Sequence, residues 1–390
     1  MYQKKFSNTR SFHRKPSFRR GSSPRPAVRG NKGGGRRGFG GERIDVSKFI
    51  NKSFITERVE HFVPEHNFDD FKIAEKLKKN IVTKGYAVPT PIQDKIIPHI
   101  LRGEDVVGIA NTGTGKTAAF LIPLINKVLA NPKVEKVLIV VPTRELAIQI
   151  DQELRGFTFG LNIFSVCVVG GAPISKQLRD LRYHNNFIIG TPGRIKDLIE
   201  RKAINLSGFE TVVLDEADRM LDMGFINDMK FMMAKMPVKR HTLFFSATIS
   251  REIEGLIKEF LKNPVTISVK TGDTAMNVEQ DIVRVRSGDN KMDVLHDLLI
   301  QTGFKKVLIF GKTKHGVEKL SKALLERGFK AESIHGDKNH SRRQHALKMF
   351  KNDQVQVLVA TDVAARGLDI ADISHVINFD IPATHDDYVH

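Results

Sequence analysis

Val212-Val213-Leu214-Asp215-Glu216-Ala217-Asp218 brings carboxylates together at the end of an apolar run. A short β-branched segment of this kind reads as a strand buried on both faces, with the acids just beyond its end. Upstream, Ala110-Asn111-Thr112-Gly113-Thr114-Gly115-Lys116-Thr117 has the spacing of a phosphate-cradling loop, with Ala110 where Gly is usual. The amides that matter run from Thr112 to Thr117, so Ala at the entry is tolerable. The run 105–109 before it reads as a strand and the stretch after it as a helix, the setting such a loop needs. Together the two stretches meet the requirements of a magnesium–nucleotide site. Lys116 and the loop amides suit the phosphates, Thr117 and Asp215 suit Mg2+, and Glu216 is left to orient a water. Binding and hydrolysis of a nucleoside triphosphate is the implied chemistry.

Outward from that pair, apolar runs alternate with stretches of helical period from residue 68 onward. Strands are expected at 105–109, 137–141, 163–169, 187–189, 211–214 and 242–245, all fully buried, with helices such as 144–155 and 252–261 between them. A connection follows near 270–273, and the pattern resumes with strands at 306–310, 331–334, 355–360 and 375–379. Continuous apolar strands alternating with helices mean parallel sheets covered on both faces. The expected fold is α/β, two tandem domains with a cleft between them. Ligands of such sheets bind beyond the carboxyl ends of the strands, where Ala110, Asp215 and Ser246 fall.

Charge is unevenly spread over the 390 residues. Of the net +18, residues 1–50 carry +12, from 14 Lys/Arg against 2 Asp/Glu. This segment mixes Arg, Gly, Ser and Pro with scattered Phe6, Phe12, Phe18 and Phe39, and cannot bury enough apolar surface to fold alone. Its run Gly33-Gly34-Gly35-Arg36-Arg37-Gly38-Phe39-Gly40-Gly41 resembles an RGG segment, suited to disordered binding of single-stranded nucleic acid. A solubilising tail is the plainer alternative. The lone Cys167 permits no internal disulfide, which suits a reducing cytosol, and its apolar setting reads as an inert core thiol. No apolar run is long enough to span a bilayer and the start lacks a signal-peptide pattern, so a cytoplasmic protein is expected.

Thr90-Pro91-Ile92-Gln93 reads locally as a helix start, with Thr90 as N-cap, Pro91 in the first turn and Gln93 reaching back in a capping box. A Gln amide can equally pair with adenine N6 and N7. Ordered motifs then decide between the two. Phe68 stands seventeen positions before Gly85, followed by 89–93 and the phosphate loop. Next come Pro142-Thr143-Arg144-Glu145-Leu146-Ala147, Gly170-Gly171, Thr191-Pro192-Gly193-Arg194, 215–218 and Ser246-Ala247-Thr248. His335-Gly336-Asp337 and Ala360-Thr361-Asp362-Val363-Ala364-Ala365-Arg366-Gly367-Leu368-Asp369 close the series. In this order and spacing they resemble the DEAD-box ATP-dependent RNA helicases of superfamily 2, over nearly everything from Phe68 onward.

The resemblance implies ATP with Mg2+ and two RecA-like lobes: a basic tail over 1–60, a Q-motif region over 66–94, an ATP-binding domain over 97–270 and a C-terminal helicase domain over 280–390. It overturns the capping reading of Gln93, making it the adenine reader with Phe68 stacked beneath the base, and puts Asp369 on the ribose. Pro142, Thr143, Arg144, Gly170, Gly171, Thr191, Pro192, Gly193, Arg194, Gly336 and Thr361 become contacts to the RNA backbone, made without reading sequence. Each first-lobe segment also has a bland reading as a strand-to-helix turn. Ser246 and Thr248, which on local grounds cap the helix near Arg251, instead couple hydrolysis to strand separation through Asp218. Lys116, Asp215, Glu216, Asp218, Ser246 and Thr248 thus form the catalytic set, with RNA as partner of a monomeric enzyme. Two departures stand out. His340 replaces the family's usual Gln while Arg343 keeps its place, and the chain stops at Tyr388-Val389-His390, before a motif whose arginines face the γ-phosphate. A fragment of a longer protein is therefore expected; a chain that truly ended there would read as a non-catalytic RNA clamp or annealing factor. A DNA-directed helicase and a structural scaffold are further rivals, the latter disfavoured because buried acids are costly without a ligand.

Overall fold

Apolar runs too short for a helix and bounded by turns become the strands of two parallel sheets. The computed structural model describes residues 62–269, 279–365, 370, 372–382 and 388, all within the unit Asp45–His390. The basic tail expected over 1–60, the connection near 270–273 and Asp369 lie outside the described residues.

The first sheet comprises β1 (Val106–Ile109), β2 (Val137–Val140), β3 (Ser165–Val168), β4 (Phe187–Gly190), β5 (Thr211–Leu214), β6 (His241–Ser246) and β7 (Val265–Ser268). They lie in the order β3-β4-β2-β5-β6-β1-β7, every pair parallel. Successive side chains point to opposite faces. Val213, Leu243 and Phe245 enter one apolar cluster, with Ile96, Phe120 and Ile150 of helices Pro91–Leu101, Lys116–Ala130 and Arg144–Phe157. Val212, Leu214 and Phe244 enter the other, with Leu198, Met232 and Leu256 of helices Pro192–Glu200, Ile226–Lys235 and Arg251–Phe260. Both faces are covered, which is why the central strands read as unbroken apolar runs.

The edges of that sheet depart from expectation. β3 is outermost, so alternate residues are only half-buried rather than all buried as the run 163–169 suggests. Cys167 is one of the half-buried ones; burial still pushes its thiol up to about 12, so it stays protonated and unreactive at neutral pH. β7, on the opposite edge, was not among the expected strands. Val265-Thr266-Ile267-Ser268 alternates half-buried with exposed and carries too little apolar character to stand out as a buried run.

The second sheet repeats the plan with β8 (Val307–Phe310), β9 (Ala331–Ile334), β10 (Val357–Ala360) and β11 (His375–Asn378), ordered β11-β8-β10-β9 and parallel. Val307, Ile309, Val357 and Val359 pack on one side with Val317 and Leu324 of helix Lys314–Glu326. Leu308, Leu358 and Ala360 pack on the other with Leu347 and Phe350 of helix His340–Lys351. Among the described residues no helix is long and apolar enough to cross a membrane.

Candidate functional site

Strand order sorts the sequence motifs into two groups along one edge of the first sheet. β1, β6 and β5 are neighbours, and from their carboxyl ends emerge the phosphate loop, Ser246-Ala247-Thr248 and the acids 215–218. β2, β4 and β3 are likewise neighbours, and lead into Pro142-Thr143-Arg144, Thr191–Arg194 and Gly170-Gly171.

In the first group the loop is bent by Gly113 and Gly115, at φ of 81° and 91°, and delivers Lys116 to the start of its helix. Lys116 is buried, and its Nζ donates to the Ala110 carbonyl oxygen at 2.7 Å. The entry position thus serves through its backbone, the carbonyl taking Lys116 and the amide donating to the Ser246 carbonyl at 3.1 Å, which accounts for Ala in place of Gly. Thr114 Oγ1 donates to the Asn111 carbonyl at 2.8 Å and tightens the bend. From outside, Thr90 Oγ1 donates to the Thr114 carbonyl (2.8 Å) and Gln93 Nε2 to the Gly115 carbonyl (3.1 Å). Gln93 Oε1 meanwhile accepts from the Thr90 amide at 3.0 Å, so the capping box that the resemblance argues away is formed. The fully buried Gln93 amide joins the helix start to the loop. Phe68 is also buried, its ring edge-on to Phe71 and Tyr86 at 6.1 Å from each.

The acids form one hydrogen-bonded turn. Asp215 is fixed to the sheet by its amide, which donates to the Val140 carbonyl at 3.0 Å. Burial raises its pKa to about 6 against the opposing pull of Lys116, with Glu216 and Asp218 adding to the rise. Its Oδ1 accepts from the Glu216 amide at 3.0 Å. Glu216 sits at φ 54°, a left-handed conformation that costs a non-Gly residue about 1 kcal/mol or more and clusters at functional turns. Its Oε2 accepts from Arg219 Nη1 at 3.0 Å in a buried ion pair. Asp218 Oδ2 accepts from the Ala247 amide (2.9 Å), the Thr248 amide (2.8 Å) and Thr248 Oγ1 (3.0 Å), while Oδ1 accepts from the Arg219 amide (3.0 Å). Ser246 Oγ donates to the Thr248 carbonyl at 2.7 Å. The helix that follows is capped by Ser250, whose hydroxyl accepts from the Ile253 amide, so Ser246 and Thr248 are not its cap.

This donor set suits a magnesium–triphosphate complex. A buried carboxylate and a threonine on the loop's helix are enough, because Mg2+ takes one or two carboxylates and completes its shell with phosphate oxygens and water. That no group of three or more His, Cys, Asp or Glu poised for a metal occurs among the described residues is compatible with such a shell.

In the second group, Thr143 Oγ1 accepts from the Leu146 amide and caps helix Arg144–Phe157. The Arg144 guanidinium lies on Gly170 and Gly171. At Gly171 (φ 75°) a β-carbon would collide with Nη1, so any side chain would displace the arginine from this seat. Arg194 Nη1 donates to the Ala172 carbonyl at 3.3 Å and its Nε lies 3.7 Å from Asp197. Pro192 is buried at the start of helix Pro192–Glu200, with Gly193 exposed beside it. From the second lobe come Gly336, exposed with open space above it, and Thr361, whose amide donates to the Ile334 carbonyl.

Two participants and one contact escape the sequence. Arg219 lies one helical turn after Glu216, and the cation directly following an acidic tetrad was the available signal. Thr90 reads only as a cap. Glu145, buried one residue beyond Arg144, meets Arg343 of helix His340–Lys351 at 2.9 Å, an ion contact between the lobes that no local pattern announces.

Two parallel sheets, a lysine-bearing loop after one strand and a buried acid turn beside it define the tandem RecA-like class. Residues 90–256 match the DEAD/DEAH box helicase family and 290–390 the helicase conserved C-terminal domain. The chain belongs to the DEAD-box helicases. It is 44% identical over 324 residues to the ATP-dependent RNA helicase CshA of Listeria monocytogenes, a match covering 83% of this chain but 62% of that protein. Among solved structures, a DEAD box protein from Methanococcus jannaschii is 37% identical over 84% of this chain and 88% of its own, with a TM-score of 0.52. Saccharomyces cerevisiae Dbp5 bound to RNA and ADP BeF3 is 27% identical over 83% and 84% of the two chains, with a TM-score of 0.74.

Proposed function

We propose that this chain is an ATP-dependent RNA helicase that grips RNA by its backbone without reading sequence, and works as a cytoplasmic monomer. Asp218 carries the reading. One carboxylate ties the acid turn after β5 to residues 247 and 248 after β6, so a change at Asp215 or Glu216 passes through Asp218 to Ala247 and Thr248, and through the Thr248 carbonyl to the Ser246 hydroxyl. The relatives support the nucleotide and the polymer: CshA is an ATP-dependent RNA helicase, and Dbp5 has been seen with RNA and ADP BeF3.

On this reading residues 97–270 form the ATP-binding domain, with 66–94 as its adenine-side strap, and 280–390 the second lobe. Bound magnesium would neutralise charge on the triphosphate. Lys116 and the amides of 112–117 hold the phosphates, Lys116 exchanging the Ala110 carbonyl for phosphate oxygen. Thr117 and Asp215 hold the metal, and Glu216 takes a proton from the attacking water. The base lies near Phe68 and Gln93, the ribose near Asp369. RNA runs along Pro142, Thr143, Arg144, Gly170, Gly171, Thr191, Pro192, Gly193 and Arg194, and across to Gly336 and Thr361, contacts made through backbone, hydroxyl and guanidinium groups. Arg343 against Glu145 supports an approach of the lobes over that path.

Glu216→Gln tests the proposal. ATP affinity is expected to stay within about threefold while RNA-stimulated phosphate release falls about 10²–10⁴-fold, the worth of a general base. Undiminished release in the variant would remove Glu216 from the role.

A further inference from the structure

We propose that Glu318, on helix Lys314–Glu326, is a positioning residue for RNA: it holds the loop 335–339 so that the bare backbone of Gly336 faces the polymer. The inference rests on the reading of Gly336 as an RNA contact and extends it to a residue outside every motif.

Three groups from one strand and its following loop converge on a single oxygen of this side chain. Ser333 Oγ donates to Glu318 Oε2 at 2.6 Å, His335 Nε2 lies 3.2 Å from the same atom, and Lys338 Nζ lies 3.7 Å from it. They come from β9, its end and the turn beyond, so the carboxylate brackets Gly336 from both sides. Lys338 also reaches Glu332 at 3.4 Å, and Lys314 reaches Asp337 at 2.8 Å, a second tie from the same helix. The Ser333 hydroxyl, then the His335 and Lys338 contacts, hold the Glu318 carboxyl down to about 2, so the anchor stays charged wherever the protein works.

Burial shows what depends on it. Ser333 and His335 are buried, and His335 Nδ1 has no hydrogen-bond partner among the described residues. The imidazole is therefore oriented from one side only, by Glu318, with the proton on Nε2. Gly336 and Asp337, directly after it, are exposed. Gly170 and Gly171 in the first lobe are covered by an arginine, but Gly336 has nothing within 4 Å of a virtual β-carbon. A backbone surface this open has no side chain to aim it, so its direction is set by its anchors. Displacement of a contact group by about 1 Å can cost up to about a hundredfold.

The test compares Glu318→Ala, Glu318→Gln and Gly336→Val in the full chain, measuring binding of a labelled single-stranded RNA with a non-hydrolysable ATP analogue, analogue affinity, and thermal unfolding. Glu318→Ala is expected to weaken RNA binding about tenfold, and Glu318→Gln, which keeps an acceptor for Ser333 and His335 but loses its hold on Lys338, about threefold, both with analogue affinity unchanged. Should the alanine variant fail to fold, the isosteric glutamine variant decides. If Gly336→Val weakens RNA binding while Glu318→Gln binds like the parent, the positioning role is overturned. If Gly336→Val has no effect, the RNA reading of the loop fails instead. An equal loss of RNA and analogue affinity would reduce Glu318 to a structural residue and also overturn the proposal.

Discussion

The two lobes repeat one plan, parallel strands with a ligand-facing edge, yet secure their functional groups by opposite means. In the first lobe the groups are buried and hold one another: Lys116 on Ala110, Asp215 under Glu216, Asp218 under residues 247 and 248. In the second Gly336 is exposed and Thr361 half-buried, and partly exposed ion pairs such as Lys314–Asp337 and Lys338–Glu318 steady the loop of Gly336 from behind. Buried, mutually satisfied polar groups rigidify a site because each unpaired one is costly. Exposed pairs are weaker individually and act by number. The first arrangement suits chemistry that tolerates little displacement; the second suits a surface that must meet a flexible polymer.

Core truncation should break the comparison most severely. Phe245 is fully buried between β1 and helix Lys116–Ala130, its ring 5.4 Å from Phe120. Phe245→Ala should cost the first lobe about 3–5 kcal/mol in urea unfolding and leave the second lobe's transition in place. A single merged transition lowered as a whole would mean that the lobes are not independently stable. Next in size is the contact between them. Arg343→Ala leaves the buried Glu145 carboxylate without its cation, and should weaken analogue-dependent RNA binding about tenfold; Glu145→Gln added to it should cost little more, because the pair is already broken. Additive losses would show that the two act separately. The smallest effect concerns acidity. Asp215 is raised to about 6, so below that pH it carries a proton that a metal ion would have to displace, and above it the carboxylate is free. Magnesium–ATP affinity should be flat above about pH 7 and fall at most about tenfold per pH unit below 6, measured by equilibrium titration. A flat profile down to pH 5 would place the metal elsewhere.

Whatever is carried by adjacent residues was legible beforehand. The loop, the acid turn and most strands lie within stretches of about ten residues, and their order matches the neighbouring strands β5, β6 and β1. What escaped was long-range or two-valued. Glu145 and Arg343 meet across far more chain than any periodicity spans. β7 alternates as an edge strand does and never forms an apolar run. At Gln93 two readings were set against each other, but the amide has two ends: Oε1 closes the capping box while Nε2 holds Gly115. Ser246 and Thr248 went the other way, since Ser250 was available to cap the next helix and left Thr248 to Asp218 and Ser246 to the Thr248 carbonyl.

In the hydrogen bonds described above, four hydrogens point at the Asp218 carboxylate, three toward one oxygen and one toward the other. An amide of the same shape would have to turn its own N–H group toward at least one of them, hydrogen facing hydrogen, whichever way it flipped. Shape alone therefore cannot replace this residue: the position demands a group that only accepts. The fourth letter of the tetrad is prescribed by the segment after β6.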